Sequence, residues 1–213
     1  MMIYLHAAVS DFMNLTHACN PVPFFLIISG YGLTIGRNKP FTSRLVSCLR
    51  LLSRYWLVLT VFLLIGLIVN PTAYCNSILE VLYNYSSWQT SYNGECWFLF
   101  PYLCLVLASP YLIKFIERNK PIIVLLITTL VYLFTLLCLK FWGITYIYDQ
   151  PSLFHLIRFV QFLLPFSLGS MAFLHHWYVR ISTKLTNLLL NISLLLLLVF
   201  ARCQLSVNYF DSL

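Results

Sequence analysis

His6, Arg158 and a cluster of arginines from Arg37 to Arg54 are the groups with chemistry to offer, because each interrupts or borders an otherwise apolar stretch. Near neutral pH an imidazole can take a proton from a hydroxyl and return it, which makes His6 a candidate general base. The same side chain also serves as an interfacial anchor or a helix-packing hydrogen bonder. Asp11 follows closely enough to orient His6, or to sit solvated in a loop. Next comes FFLIISGYGLTIG, in which Ser29, Gly30, Gly32 and Gly36 allow backbones to approach closely. Gly32 and Gly36 form a GxxxG, a helix-packing pattern, and Ser29 is a possible acyl acceptor with no base beside it in sequence. The spacing does not fit a dinucleotide-binding fingerprint, and no strand precedes it.

Arg50 and Arg54 are four residues apart and share a helix face. Two guanidiniums there suit the phosphates of a nucleotide-like donor, since Arg binds phosphate bidentately; snorkelling topological charge is the commoner use of such a pair. Arg158 stands within LFHLIRFVQFLLPFSLG, away from any basic cluster. An arginine near the centre of a span costs roughly 2.5 to 3.5 kcal/mol on insertion scales, so a polar cavity or a partner is expected, with outward snorkelling as the alternative. His155 is on nearly the same face and is expected in that cavity. Trp97, in GECWFLFPYL, is either an interface anchor or the wall of a substrate entrance.

The elements that must position these groups are membrane helices. Of 213 residues, 61% are hydrophobic and 9% charged, far below the charged share of a soluble domain. The fold class is therefore all-α, a polytopic membrane helix bundle, and we take 1–213 as a single membrane-embedded domain. A span needs roughly 20 apolar residues. Met1 to Val9 is the end of one segment; Pro21–Gly36, Leu49–Val69, Cys96–Ile113, Pro121–Leu139, Leu153–Leu174 and Leu185–Ala201 are six complete spans. No signal-peptide pattern opens the sequence, so targeting is expected to reside in the spans. The run LLLNISLLLLLV near the end carries no readable chemistry.

Arg37, Lys39, Arg44, Arg50 and Arg54 flank one connection, Lys114, Arg118 and Lys120 a second, Arg180 and Lys184 a third. These alternate loops hold most of the chain's basic residues, which places them in the cytoplasm of a cell-membrane protein. The net charge of +7 is thus topological, and no nucleic-acid partner is expected; membrane lipids are. The seven cysteines include no C-x-x-C and no pairing with histidine that suggests a metal. Cys75 and Cys96 bracket the largest outer loop, Asn70 to Glu95, where a disulfide is one option. That loop carries VLYNYSSWQTSYNGE, whose flat aromatic faces beside amides and hydroxyls suit a sugar, or an aromatic belt at the membrane surface.

Taken in order, a histidine ending a first helix, FFxxSGY in the second, a basic loop leading to R-x-x-x-R-Y-W in the third and WFL in the fourth resemble the acyltransferase 3 family of integral membrane acyltransferases. RFVQFLLPFSLG is similar to the family's sixth-helix region, and the resemblance covers most of the chain from His6 to about Phe173. It implies transfer of an acyl group, often acetyl, from a cytosolic acyl-CoA to a hydroxyl on a cell-surface glycan or lipid-linked saccharide, with acyl-CoA as co-substrate and no bound cofactor. By matching position His6 corresponds to the histidine proposed as the family's general base, Ser29 and Gly30 to its SG pair, and Arg50 and Arg54 to arginines of its third-helix entrance, with Arg158 a looser match; joined with the residue readings above, Arg50 and Arg54 are expected to bind the acyl donor, and Ser29, Gly30, Trp97 and Arg158 to line the pocket. Two departures stand out. The family carries a basic residue further ahead of its histidine than the five residues before His6 allow, and it has more helices. The sequence therefore reads as a part of such an enzyme. A transporter, a glycan-export component or an inactive fragment is the competing expectation, because intramembrane charge serves transport as well.

Overall fold

The computed structural model describes residues 22–69, 77–143, 146, 147 and 149–177. His6, Asp11, Cys75 and the expected segments Met1 to Val9 and Leu185–Ala201 lie outside the described residues. Helices account for all the regular structure that is described: α1 (Val22–Ile35), α2 (Phe41–Val69), α3 (Ile78–Tyr85), a 3-10 turn (Gly94–Phe98), α4 (Leu99–Arg118), α5 (Pro121–Trp142) and α6 (Pro151–Leu174). Among the described residues, four helices are long and apolar enough to cross a membrane: α2, α5, α6 and the stretch from Cys96 to Arg118. α1, at 14 residues, covers only about 21 Å, short of the hydrocarbon thickness.

Local sequence sets the ends of these helices. Pro121 and Pro151 open α5 and α6, where the missing N–H costs nothing and the fixed φ is already helical. Gly143 closes α5 at φ 77°, with its N–H on the Leu139 carbonyl. The apolar side chains that would form the core of a soluble protein point outward here. Ile122, Leu126, Leu130 and Phe134 are all exposed along α5, a stripe at i, i+4 that suits lipid.

α6 is the axis of the bundle. In its apolar window 56% of residues are buried, against 17% in α2 and in α5, and it packs on α1, α4 and α5. α1 and α6 run in the same direction, since Val22 and Arg158 meet at one end and Arg37 and Phe173 at the other. Their crossing is glycine on backbone from both sides. A Cβ on Gly30 would strike the Phe166 carbonyl, and one on Gly169 would strike the Ile27 carbonyl. The Gly30 carbonyl also accepts from Thr34 Oγ1 at 2.7 Å and from Ser170 Oγ at 3.4 Å. The expected GxxxG of Gly32 and Gly36 is not the packing motif: a Cβ at Gly32 would meet nothing, and one at Gly36 would make only ordinary contacts.

α2 lies antiparallel on α4, with Tyr55 and Leu59 packed in one cluster with Leu99 and Leu103. It starts at Phe41 rather than at the expected Leu49, because Arg44 finds a place inside the protein. Pro110 deprives the Val106 carbonyl of its helical donor; Ser109 Oγ donates to that carbonyl at 2.6 Å and accepts from Arg44 Nη1. At the same end, Arg37 Nε is 3.0 Å from Glu117, and the Arg37 guanidinium lies over the Phe173 ring. The connection between α1 and α2, that between α4 and α5, and the end of α6 therefore gather at one end of the bundle, as the alternation of basic loops predicts.

The opposite end is capped by the loop between α2 and α4, in which sequence reading missed α3. Ser77 Oγ accepts the Glu80 N–H at 3.1 Å as a side-chain N-cap, within an S-x-x-E pattern whose Glu80 carboxylate accepts from Ser91 Oγ. At its other end Ser87 adopts φ 59°, Trp88 N–H reaches the Tyr83 carbonyl and Ser87 N–H the Asn84 carbonyl, the hydrogen-bond pair of a Schellman motif. Fully buried Asn84 binds the Glu80 carbonyl, Ser91 Oγ and the Tyr92 N–H. Tyr55 and Trp56 of α2 donate to the Asn84 and Tyr85 carbonyls. These bonds turn Trp88 inward over the start of α6.

Candidate active site

Arg158 lies about 10 Å along α6 from Pro151. It is 5% exposed, so it does not snorkel to the surface. Its guanidinium carbon is 4.9 Å from the Trp97 ring centre and 5.2 Å from that of Phe154, distances at which desolvated cation–π attraction is substantial. Nη1 donates to Gln161 Oε1 at 3.1 Å. Since a guanidinium has only donors, this bond fixes the amide: Oε1 faces Arg158 and Nε2 faces away. Gln161 is 6% exposed, and its Nε2 has no hydrogen-bond partner among the described residues.

Arg158 and Gln161 form the polar end of a cavity of about 240 Å³. Its other walls are apolar: Val22, Leu26 and Ile27 from α1, Phe162 and Leu168 from α6, with Tyr132 of α5 and Trp97 beside the arginine. Pro165, also in the wall, lacks the N–H that would bind the Gln161 carbonyl in a regular helix. Two N–H-bearing side chains at the end of an apolar slot can hold a carbonyl oxygen and stabilise negative charge that develops on it, because low dielectric strengthens such bonds.

Trp97 has a second role, because it also walls a cavity of about 360 Å³ at the loop-covered end. Trp88, Gln89, Thr90 and Ser91 come from the loop, Asp149 from the turn before α6, and Pro151, Phe154 and His155 from its start. Trp97 is half-buried, packed on Phe98, Phe154 and Phe162, which fits a dividing wall between the two cavities and not an exposed anchor.

The residues expected to act together are only partly gathered. His155, expected to share the cavity of Arg158, lines the loop-covered cavity instead; Phe154 and Trp97 stand between them. Ser29 and Gly30, expected to line a pocket, line neither cavity: Ser29 Oγ is 3.0 Å from the Tyr102 hydroxyl, and Gly30 is occupied by the crossing with α6. Arg50 and Arg54 are exposed on α2 and line neither cavity. The buried arginine of that helix is Arg44, 4% exposed, whose Nε and Nη2 have no partner among the described residues. Sequence reading missed Gln161, although its place three residues after Arg158 on one helix face was a usable signal.

A family model described as an acyltransferase domain, the acyltransferase 3 type, matches residues 2–212. No curated protein and no solved structure matches the chain.

Proposed function

The chain belongs to the acyltransferase 3 family, and from that premise we propose that this membrane acyltransferase moves an acyl group, acetyl in the simplest case, from a cytosolic acyl-CoA to a hydroxyl of a cell-surface glycan or lipid-linked saccharide. The observation that carries the reading is the pair of cavities that meet at Trp97. The inner one is apolar and ends in the Arg158 and Gln161 donors, suited to an acyl thioester; the outer one mixes aromatic faces with amides and hydroxyls, suited to a sugar.

The basic end is assigned to the cytoplasm of the cell membrane. Arg50 and Arg54, about 14 and 20 Å along α2 from Phe41, are assigned to the phosphates of the donor, and Arg44 adds a buried positive charge nearer the basic end. From Phe173 to Arg158 is about 22 Å along α6, the distance that the flexible arm of the donor has to span. In the inner cavity the thioester carbonyl oxygen accepts from Gln161 Nε2 and the Arg158 guanidinium. The acceptor hydroxyl oxygen attacks the carbonyl carbon while His6 takes the hydroxyl proton. The tetrahedral oxyanion collapses, the carbon–sulfur bond breaks, and the departing thiolate takes up a proton, leaving an ester and free CoA.

Replacing His6 by Ala in the full chain tests the assignment. Acyl transfer to membrane saccharide, followed with radiolabelled acyl-CoA, is expected to disappear while the amount of protein in the membrane stays the same. Undiminished transfer would remove His6 from the mechanism. Movement of unmodified saccharide across vesicles that hold the protein, with no label incorporated, would favour a transporter.

A further inference from the structure

The inner cavity is chemically lopsided. Arg158 and Gln161 make its polar end, with Tyr132 beside them, and the remaining wall, chiefly Leu26 and Ile27 of α1 and Phe162 and Leu168 of α6, is hydrocarbon. From Arg158 to Leu168 is about 15 Å along α6. A thioester carbonyl held at Arg158 thus leaves a long apolar stretch that the transfer step itself does not use. An acetyl methyl fills little of it. The cavity measures about 240 Å³, and an apolar cavity of roughly 150 Å³ already takes up benzene with its six carbons.

The flexible arm of the donor is a poor filler for this stretch. It carries amides, and amides buried against leucine, isoleucine and phenylalanine without hydrogen-bond partners cost free energy. A hydrocarbon chain leaves water at a gain instead. The far end of the cavity also has a floor that no side chain can move. Ile27 and Leu168 border the crossing where the backbones of α1 and α6 touch: the Ile27 carbonyl occupies the place of a Cβ on Gly169, and the Phe166 carbonyl that of a Cβ on Gly30. A chain cannot pass between two backbones in contact, so the crossing limits the length that fits.

We infer that the inner cavity is an acyl-chain slot, selecting a donor whose chain has about six to eight carbons over acetyl, and that Leu168 at its floor sets the length. Leu168 is then a specificity residue. It takes no part in the chemistry. The inference rests on the acyl-transfer reading for the nature of the donor, whereas the selectivity is a property of binding and is measured without turnover.

The test uses S-(2-oxoalkyl)-CoA ligands, in which a methylene separates the sulfur from the carbonyl, so that the oxygen is kept for Arg158 and no thioester is present to cleave. Analogues of acetyl-, butyryl-, hexanoyl-, octanoyl- and dodecanoyl-CoA are titrated into the full chain in lipid nanodiscs, and uptake by empty nanodiscs is subtracted. Affinity is expected to rise about fourfold for each added methylene as far as hexanoyl and to level off by octanoyl. Leu168→Trp raises the floor and should level off at butyryl, whereas Leu168→Ala deepens the slot and should carry the rise beyond octanoyl. A misfolded chain would not gain affinity for longer ligands, so Leu168→Ala decides if Leu168→Trp does not fold. Equal affinity for the acetyl and hexanoyl analogues, or the same cut-off in the natural chain and Leu168→Ala, overturns the proposal. Release of CoA from the matching thioesters, with a saccharide acceptor present, is read on the same samples. Length-selective binding without CoA release would sink the acyl-transfer reading and leave the slot standing, and CoA release without length-selective binding would do the reverse.

Discussion

Substituting alanine for glycine on α1 is predicted to have opposite effects two residues apart. At Gly30 the new Cβ would lie 3.0 Å from the Phe166 carbonyl carbon and 3.2 Å from its Cα, and closer still to its oxygen. All three are backbone atoms of α6, so no side chain can rotate out of the way. Carbon atoms pack best at roughly 3.5 to 4.0 Å, so the helices have to part. Overpacking of this kind costs about 1 to 3 kcal/mol. For a chain of this size each kcal/mol lowers the melting temperature by roughly 2 to 4 °C. Gly30→Ala, and Gly169→Ala from the other side of the crossing, should therefore melt about 2 to 12 °C lower. At Gly32 a Cβ meets nothing, and replacing a helical glycine stabilises by about 0.5 to 1 kcal/mol, so Gly32→Ala should melt a few degrees higher by the same scaling. Thermal unfolding of the detergent-purified variants, followed by tryptophan fluorescence, reads all three. Shifts of the same sign at Gly30 and Gly32 would refute the crossing described here.

Asn84→Ala removes three hydrogen bonds at a fully buried position and should free the Ser86–Asn93 loop; limited proteolysis of intact vesicles is expected to cut there much faster than in the natural chain. Gln161→Leu deletes a donor at the reacting carbonyl and should lower kcat about a hundredfold with little change in the KM for acyl-CoA; a change in KM alone would make Gln161 a ground-state contact. The Arg37–Glu117 pair is more than a third exposed on both sides, and a double-mutant cycle on stability should return a coupling of less than about 1 kcal/mol.

Much of the fold was legible because a membrane demands long apolar helices of fixed length, and prolines at 121 and 151 mark where two of them start. The basic residues also reported which connections share an end, as the Arg37–Glu117 pair bears out. Facing was not legible. Ser29, Gly30, Gly32 and Gly36 look equivalent in sequence, and only the backbone of α6 at Phe166, more than a hundred residues on, decides that Gly30 is the contact. Arg50 and Arg54 form the tidier pair on paper, but Arg44 is the arginine that is buried, because Pro110 and Ser109 make a place for it on another helix. The loop helix α3 did carry a readable signal, the S-x-x-E of Ser77 and Glu80. Arg158 stood out in sequence as a costly charge, whereas the division of its surroundings into two cavities depends on where Trp97 and Trp88 fold.

The central claim is that an acyl group passes from a thioester to a hydroxyl within this bundle. Purified full-length chain in nanodiscs, given radiolabelled acyl-CoA and a saccharide acceptor, should release free thiol in step with ester formation on the acceptor, and Arg158→Ala should stop both. Thiol release that proceeds equally without acceptor, or ester formation that survives Arg158→Ala, would contradict the account.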